Sequence, residues 1–500
     1  MQRVCAHISV CFALTVGMFL NVGCNKQETS KIDNPPIIEK ALKDGSSNYY
    51  QDFSAYKSST RHLPVGVFDS GTGGLNILEK MLTLDCFDNI TGSSQKDSIP
   101  DFAGEHFSYY MDIANTPYSN YPSEGKTEYL RELILKDALF LLSDKYFLNS
   151  IEEVPSGSKS GCKIIVIGDN TSAAYGHEDI RSLIEQSGSG VKVISVMESG
   201  VKATFDQLDV RQGDERFAIG VIATSGTIAS GAYERSLKEK IEQLGITTDI
   251  DIVCQSDEGY PEALDNEPEY VNPHAFAPRS TYLGPNIGEG ENDIRPELLK
   301  AYNFDYSNFH VLARRNSSGG YSDFQLNSSA NYIKFCVVSL FERHRKSGSA
   351  TPVRAIILGD THLPFQAEVI KETVSWLHNY RENGQYPYRE LIAKDLQFID
   401  PALYTAIDCY QSLREEGKLA LRITGMKVDP YVSVPSSTLS DSCITREGHL
   451  NYKFKFGRET GLEDFHTKPV RMSLSNVDTS NVSRIRELLP ATYSLIAPGL

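Results

Sequence analysis

The chain runs to 500 residues, 40% of them hydrophobic and 23% charged, which is enough to bury a large core in two or three domains. A formal net charge of −16 argues against a nucleic-acid partner, because gripping a phosphate backbone requires a surplus of Lys and Arg. Nine cysteines are scattered without a Cys-x-x-Cys pair, which argues against a zinc site.

The first stretch is a targeting segment. Arg3 precedes an apolar run over residues 10–20, and Asn21-Val-Gly-Cys24 follows. A positive start, a short apolar centre and a small residue before a cut describe a secretory signal peptide. The run is too short to make a good membrane-spanning helix. Cys24 and its polar tail resemble the lipobox of bacterial lipoproteins, with Leu20 one place further back than usual. The expectation is a signal peptide over 1–23 and lipid attachment at Cys24. The membrane contact is then that lipid, in the bacterial periplasm or outer membrane. A polar tether with one short helix follows over 24–62.

Order begins at Leu63. Leu63-Pro-Val-Gly-Val-Phe68 predicts a strand, Asp69-Ser-Gly-Thr-Gly-Gly74 a tight turn, and Leu75, Leu78 and Leu82 one face of a helix. Such a loop offers backbone N–H groups to an anion, although glycine turns more often only connect elements. Residues 108–119 predict a strand and loop, 127–147 a helix, and 191–197 a strand entering Glu198. Residues 217–224 and 249–254 predict strands on either side of a helix ending at Leu244. This alternation predicts parallel sheets wound with helices.

Residues 259–325, rich in Pro, Asn, Gly and Tyr, read as an insertion with one short helix at 296–302. Helices at 328–345, at 366–380 and from Pro401, with a strand at 396–400, complete a core over 63–258 and 326–416. The appended C-terminal region, 417–500, is short-patterned and β-like, and Asn451-Tyr-Lys-Phe-Lys-Phe-Gly457 alternates as a strand does.

Two stretches repeat one pattern: Ile164-Ile-Val-Ile-Gly-Asp169-Asn170-Thr171 and Ala355-Ile-Ile-Leu-Gly-Asp360-Thr361-His362. A short apolar run bounded by Gly reads as a buried parallel strand. Ligands bind beyond the carboxyl ends of such strands, so Asp169 and Asp360 are expected at the mouth of one cleft.

Val65-Gly-Val-Phe-Asp69-Ser-Gly-Thr-Gly-Gly74 and Asp112-Ile-Ala-Asn-Thr-Pro117-Tyr118 resemble segments of glutamate racemases in the aspartate/glutamate racemase superfamily. Met197-Glu-Ser-Gly-Val-Lys-Ala203, Ala223-Thr-Ser-Gly-Thr227 and Asp400-Pro-Ala-Leu-Tyr-Thr-Ala406 fall in the family's order. The resemblance implies an α/β fold of two pseudosymmetric parallel-sheet domains with substrate held between them. It also implies two opposed thiols that remove and return an α-proton without a cofactor, and it allows a homodimer. Here both thiol positions are carboxylates, Asp169 and Asp360, while the neighbours Asn170, Thr171, Thr361 and His362 are kept. The family's Pro-Tyr-Gly has become Pro117-Tyr118-Ser119.

A free Asp has a pKa of about 3.9 against about 8.5 for a thiol, so the replacement weakens the base unless burial or a neighbouring carboxylate raises it. The family places Asp69 beside the first catalytic position, which makes Asp69 with Asp169 a candidate coupled pair, with Glu198 nearby. His362 is placed to orient Asp360 or relay its proton. Ser70, Pro117, Tyr118, Ser119, Asn170, Thr171 and Thr361 are the expected substrate contacts, and no metal or cofactor is expected.

Three functions fit these residues. The first is an acid–base isomerase on a small amino-acid or carboxylate substrate. The second is a binding lipoprotein that has lost catalysis and holds an amino acid or a wall fragment. The third is a hydrolase with a hard cation on Asp69, Asp169, Asp360 and Asp112. His177 and His310 read as surface or packing residues.

Overall fold

The computed structural model describes residues 34–499 apart from 58, 211–214, 421–424, 447, 464 and 478. The expected signal peptide and Cys24 lie outside the described residues. Strands β1 (Val65–Asp69) and β2 (His106–Met111) open the first half, and β3 (Lys145–Tyr146) with β4 (Gly157–Ser158) makes a small ribbon. Strands β5 (Ile164–Ile167) and β6 (Lys192–Ser195) complete that half. The second half holds β7 (Phe217–Ala223), β8 (Ile250–Ser256), the hairpin β9 (Val311–Arg315) and β10 (Tyr321–Leu326), then β11 (Val353–Leu358) and β12 (Ile392–Ile399). Strands β13 (Lys427–Pro435) and β14 (Thr467–Arg471) come last.

Two sheets result, in the orders β14-β13-β2-β1-β5-β6 and β12-β11-β7-β8. Within β2-β1-β5-β6 and within the whole second sheet every pairing is parallel. Numbering the four strands of each half in chain order, both sheets run second-first-third-fourth. This shared order is the pseudosymmetry of an α/β fold with two parallel-sheet domains. Strands β1, β5 and β7 are buried throughout, as apolar strands covered by helices on both faces must be.

Several elements differ from the sequence reading. The C-terminal region is not an appendage: β13 lies parallel on β2 and β14 antiparallel on β13, so it widens the first sheet. Residues 451–457 form the helix Tyr452–Gly457. The Asn451 side chain caps it by accepting from the Phe454 N–H at 2.9 Å. Alternation over five residues also sets Tyr452 four places from Phe456, and their rings pack 4.7 Å apart on one helical face.

Residues 196–197 belong to the helix Val196–Leu208, because the Ser195 hydroxyl accepts from the Glu198 N–H and ends the strand. Residues 36–43 are the short helix expected within the tether, but it is packed on the core, with Ile37, Ile38 and Ala41 buried. The insertion carries the β9–β10 hairpin and builds a second core with Tyr260, Tyr302, Phe304 and Phe324. The described cysteines Cys86, Cys162, Cys254, Cys336, Cys409 and Cys443 are free thiols. Among the described residues no helix is long and apolar enough to cross a membrane.

Candidate functional site

Four of the aspartates at the carboxyl ends of the strands form two matched pairs. Gly168, after β5, donates its N–H to the Phe68 carbonyl at 2.8 Å, and Gly359, after β11, donates to the Ile222 carbonyl at 2.7 Å. Asp169 and Asp360 follow these glycines and are therefore equivalent. Asp112, after β2, donates its N–H to the Asp69 carbonyl at 2.9 Å, and Asp257, after β8, donates to the Ala223 carbonyl at 3.0 Å. Asp112 and Asp257 thus form the second pair. Asp257 was not singled out in the sequence, although an Asp directly after a buried strand, as at Asp112, was the signal.

Asp169 caps the helix Asn170–Ser187. Its carboxylate accepts from the Thr171 N–H at 3.3 Å, the Ser172 N–H at 2.8 Å and the Ser172 hydroxyl at 2.6 Å. Burial raises its pKa despite these bonds, and Asp360 raises it further. Asp69, 4% exposed, accepts from the Gly71 N–H. Burial first, then the charge of Asp169, pushes Asp69 up to about 7.

The second half is polarised the other way. Asp360 is 3% exposed, and its Oδ1 accepts from the His362 N–H at 2.6 Å and from His362 Nδ1 at 2.8 Å. Burial opposes its charge, but His362 and a hydrogen bond with Asp257 hold its pKa below the ordinary value. Asp257, 2% exposed, is pushed well up by burial and by Asp360. Burial lowers the His362 pKa, but Asp360 and then Asp69 outweigh it, so the imidazole stays charged above its usual range. His362 Nε2 is buried without a hydrogen-bond partner.

The halves meet over this cluster. A Cβ on Gly73 would lie 2.0 Å from Thr361 Oγ1, and one on Gly74 would lie 2.6 Å from the Asp69 Cβ, so only glycine fits the loop between the carboxylates. Asn76 Nδ2 donates to the Thr361 carbonyl at 3.1 Å. The Tyr233 hydroxyl donates to Asn170 Oδ1 at 2.7 Å, and Thr171 Oγ1 lies 3.4 Å from Thr227 Oγ1. Asn170, Thr171 and Thr361 therefore join the halves across the cleft.

The other expected substrate contacts are placed differently. Ser70 is buried and its carbonyl accepts from the Thr116 hydroxyl. The Thr116–Pro117 bond is cis, and Ser119 packs on Gly226. Tyr118 is 1% exposed, and its hydroxyl sits between Asp112 and, at 2.8 Å, Asp137. Asp137, on the helix Thr127–Leu142, is pushed well up by burial and by Asp112. Tyr118 therefore ties two acids together inside the first half. Asp137 is legible only as a charge on the apolar face of a helix.

Glu198 is 48% exposed and stands 3.3 Å from His177 Nδ1, not beside Asp69. Among the described residues, the one set of three metal-type ligand atoms within 4.8 Å of one another is His177, Glu178 and Glu198. Asp69, Asp169, Asp360 and Asp112 do not form such a set.

No family model matches the chain. A glutamate racemase from Carboxydothermus hydrogenoformans is 23% identical over 381 residues, covering 76% of this chain and 90% of that protein. One from Beutenbergia cavernae is 32% identical over 171 residues, covering 34% and 43%. One from Enterococcus faecalis is 27% identical over 184 residues, covering 37% and 50%. The chain thus spans nine-tenths of the first relative's length and about half of the other two. Among solved structures, glutamate racemase isoform RacE1 from Bacillus anthracis aligns with a TM-score of 0.42 at 19% identity, covering 76% of this chain and 91% of that one. The Francisella tularensis glutamate racemase in complex with D-glutamate aligns at 0.40 and 17%, covering 81% and 99%. The chain is thus related in sequence to the glutamate racemases of the aspartate/glutamate racemase superfamily.

Proposed function

We propose that the protein is a cofactor-independent acid–base isomerase, of racemase or epimerase type, acting on a small carboxylate with Asp360 as base and Asp169 as acid. One observation carries this reading: equivalent aspartates stand at the two strand ends, and their surroundings shift their pKa values in opposite directions, Asp360 down and Asp169 up. In one direction the Asp360 carboxylate takes a proton from carbon, and Asp169 gives its proton to the opposite face. The turnover leaves Asp360 protonated and Asp169 ionised, ready for the reverse reaction or for exchange with water. A carboxylate base suits a carbon acid more acidic than the α-carbon of an amino acid. The same reading makes the chain a lipoprotein of the cell envelope, supported by Cys24 and the run before it.

A second reading, binding without catalysis, is favoured by the three hydrogen bonds that occupy Asp169 as a helix cap. One experiment separates the two. Residues 25–500 are incubated in D₂O with both enantiomers of glutamate, aspartate and wall-derived amino acids, and with acids carrying a carbonyl beside the exchanging carbon. Loss of the C–H signal is followed by NMR. Exchange lost on Asp169→Asn or Asp360→Asn establishes carboxylate catalysis. Saturable binding with no exchange in any arm leaves the binding reading.

A further inference from the structure

The C-terminal region does more than widen the first sheet. It closes a cavity of about 120 Å³ against the helix Thr127–Leu142, on the same network that holds Tyr118. The floor is Asp112, Asp137 and Arg458, the walls include Leu133, Tyr129 and Phe465, and Asn48, Tyr50 and Lys145 stand at the exposed mouth.

Arg458 is the anomaly. It is 4% exposed, and none of its hydrogen-bond partners among the described residues is a carboxylate. Nε donates to the Lys455 carbonyl at 3.2 Å. Nη2 donates to Asn115 Oδ1 at 2.6 Å and to the Tyr121 hydroxyl at 3.1 Å, and the guanidinium lies 5.0 Å from the Tyr129 ring centroid. Nη1 has no hydrogen-bond partner among the described residues. A guanidinium this deep is normally matched by an anion, since an uncompensated buried charge is strongly destabilising. The nearby acids do not supply one. Asp112 is taken by Asn115 Nδ2, at 2.8 Å to both oxygens, and by Tyr118. Asp137 is taken by the Tyr118 hydroxyl at 2.8 Å, and burial and Asp112 push its pKa well up. Lys136, paired with Glu132 at 2.7 Å, and the exposed Lys145 also line the space.

We infer that this cavity is a binding site for a small monocarboxylate with a short apolar tail, its carboxylate on Arg458 Nη1 and its tail against Leu133 and Phe465. Size sets the upper limit: a dry protein cavity of about 150 Å³ accepts benzene, so about 120 Å³ holds roughly four to six heavy atoms, the size of propionate or alanine. The site belongs to this chain rather than to the racemase core, because Arg458 and Phe465 come from the C-terminal region.

The test is a titration of the full chain with sodium propionate and with alanine. It is read by saturation-transfer NMR and by the unfolding temperature, which a ligand specific for the folded state must raise. 1-Propanol and n-propylamine serve as shape-matched controls without the carboxylate. Saturable binding of either carboxylate, at least tenfold tighter than of both controls, is expected. Arg458→Met should lose it, and so should Leu133→Phe, which fills the space and leaves the charge. Far-UV circular dichroism checks the fold of both variants, and Leu133→Phe decides the matter if Arg458→Met does not fold. No saturable binding by the native chain overturns the inference. So does carboxylate binding that survives Leu133→Phe, because it lies elsewhere.

Discussion

Replacing Asp69 by Asn should make the protein more stable, and only at neutral and higher pH. The unfolded carboxyl ionises near 3.8, whereas the folded one is pushed up to about 7 by burial and by Asp169. Between those values the native state holds about one proton more than the unfolded chain, so native stability falls as pH rises. At ~1.4 kcal/mol per pH unit across roughly three units, ionising Asp69 costs ~4 kcal/mol by pH 8. Asn mimics the protonated form and keeps an oxygen for the Gly71 N–H. The repulsion by Asp169 is already contained in this figure, as one cause of the raised Asp69 pKa, and burying an amide in place of the carboxyl offsets part of the gain. The net advantage of Asp69→Asn is therefore about 2–4 kcal/mol at pH 8 and near zero at pH 4. Urea unfolding of both proteins at pH 4, 6 and 8 measures it. A difference that does not change with pH would refute the reasoning, because it would mean that Asp69 is ionised throughout.

Further outcomes follow from neighbouring contacts. At pH 4, where ionisation of the raised Asp169 carboxyl does not enter, Asp169→Ala removes the cap of the helix Asn170–Ser187 and should cost about 1 kcal/mol, whereas Asp169→Asn keeps a capping oxygen and should cost a few tenths; denaturant titration distinguishes them. His362→Gln should destabilise most between about pH 4 and 6.5. The depressed Asp360 pKa lets the pair persist above 3.8, and the raised His362 pKa lets it fade only as pH climbs through a value above 6.5. A pH series of unfolding midpoints reads this. Lys163 Nζ and Glu105 Oε2 are 2.6 Å apart at 0% and 2% exposure. Lys163→Met should therefore cost about 3–5 kcal/mol, and the double variant with Glu105→Leu should recover most of it. Gly73→Ala drives a methyl into Thr361 Oγ1, so it should open the contact between the halves at about 1–3 kcal/mol, detected as faster amide exchange at residues 71–76 and 361–363.

The sequence by itself determined the parallel α/β core, because Ile164–Ile167 and Val353–Leu358 are apolar at nearly every position and end in Gly-Asp, a pattern that only strands buried on both faces satisfy. It also determined which residues stand at the strand ends, since Asp69, Asp169 and Asp360 follow their strands directly along the chain. The short C-terminal segments were not legible. Five alternating residues fit a strand or one helical turn equally, and only the cap at Asn451 and the Tyr452–Phe456 contact chose the helix.

Tertiary structure decided how far the carboxyls of the site depart from their ordinary behaviour. Asp169 and Asp360 each follow a buried strand and a Gly, yet the pKa of one is raised and that of the other lowered. The difference comes from His362, two residues away along the chain, and from Asp257, about a hundred residues away. Tyr118 was legible as part of a binding motif, but its hydroxyl is claimed by Asp137, which no local pattern links to it. A side chain's type is written in the chain. Its charge state depends on which groups burial brings within a few ångströms, and packing alone fixes that.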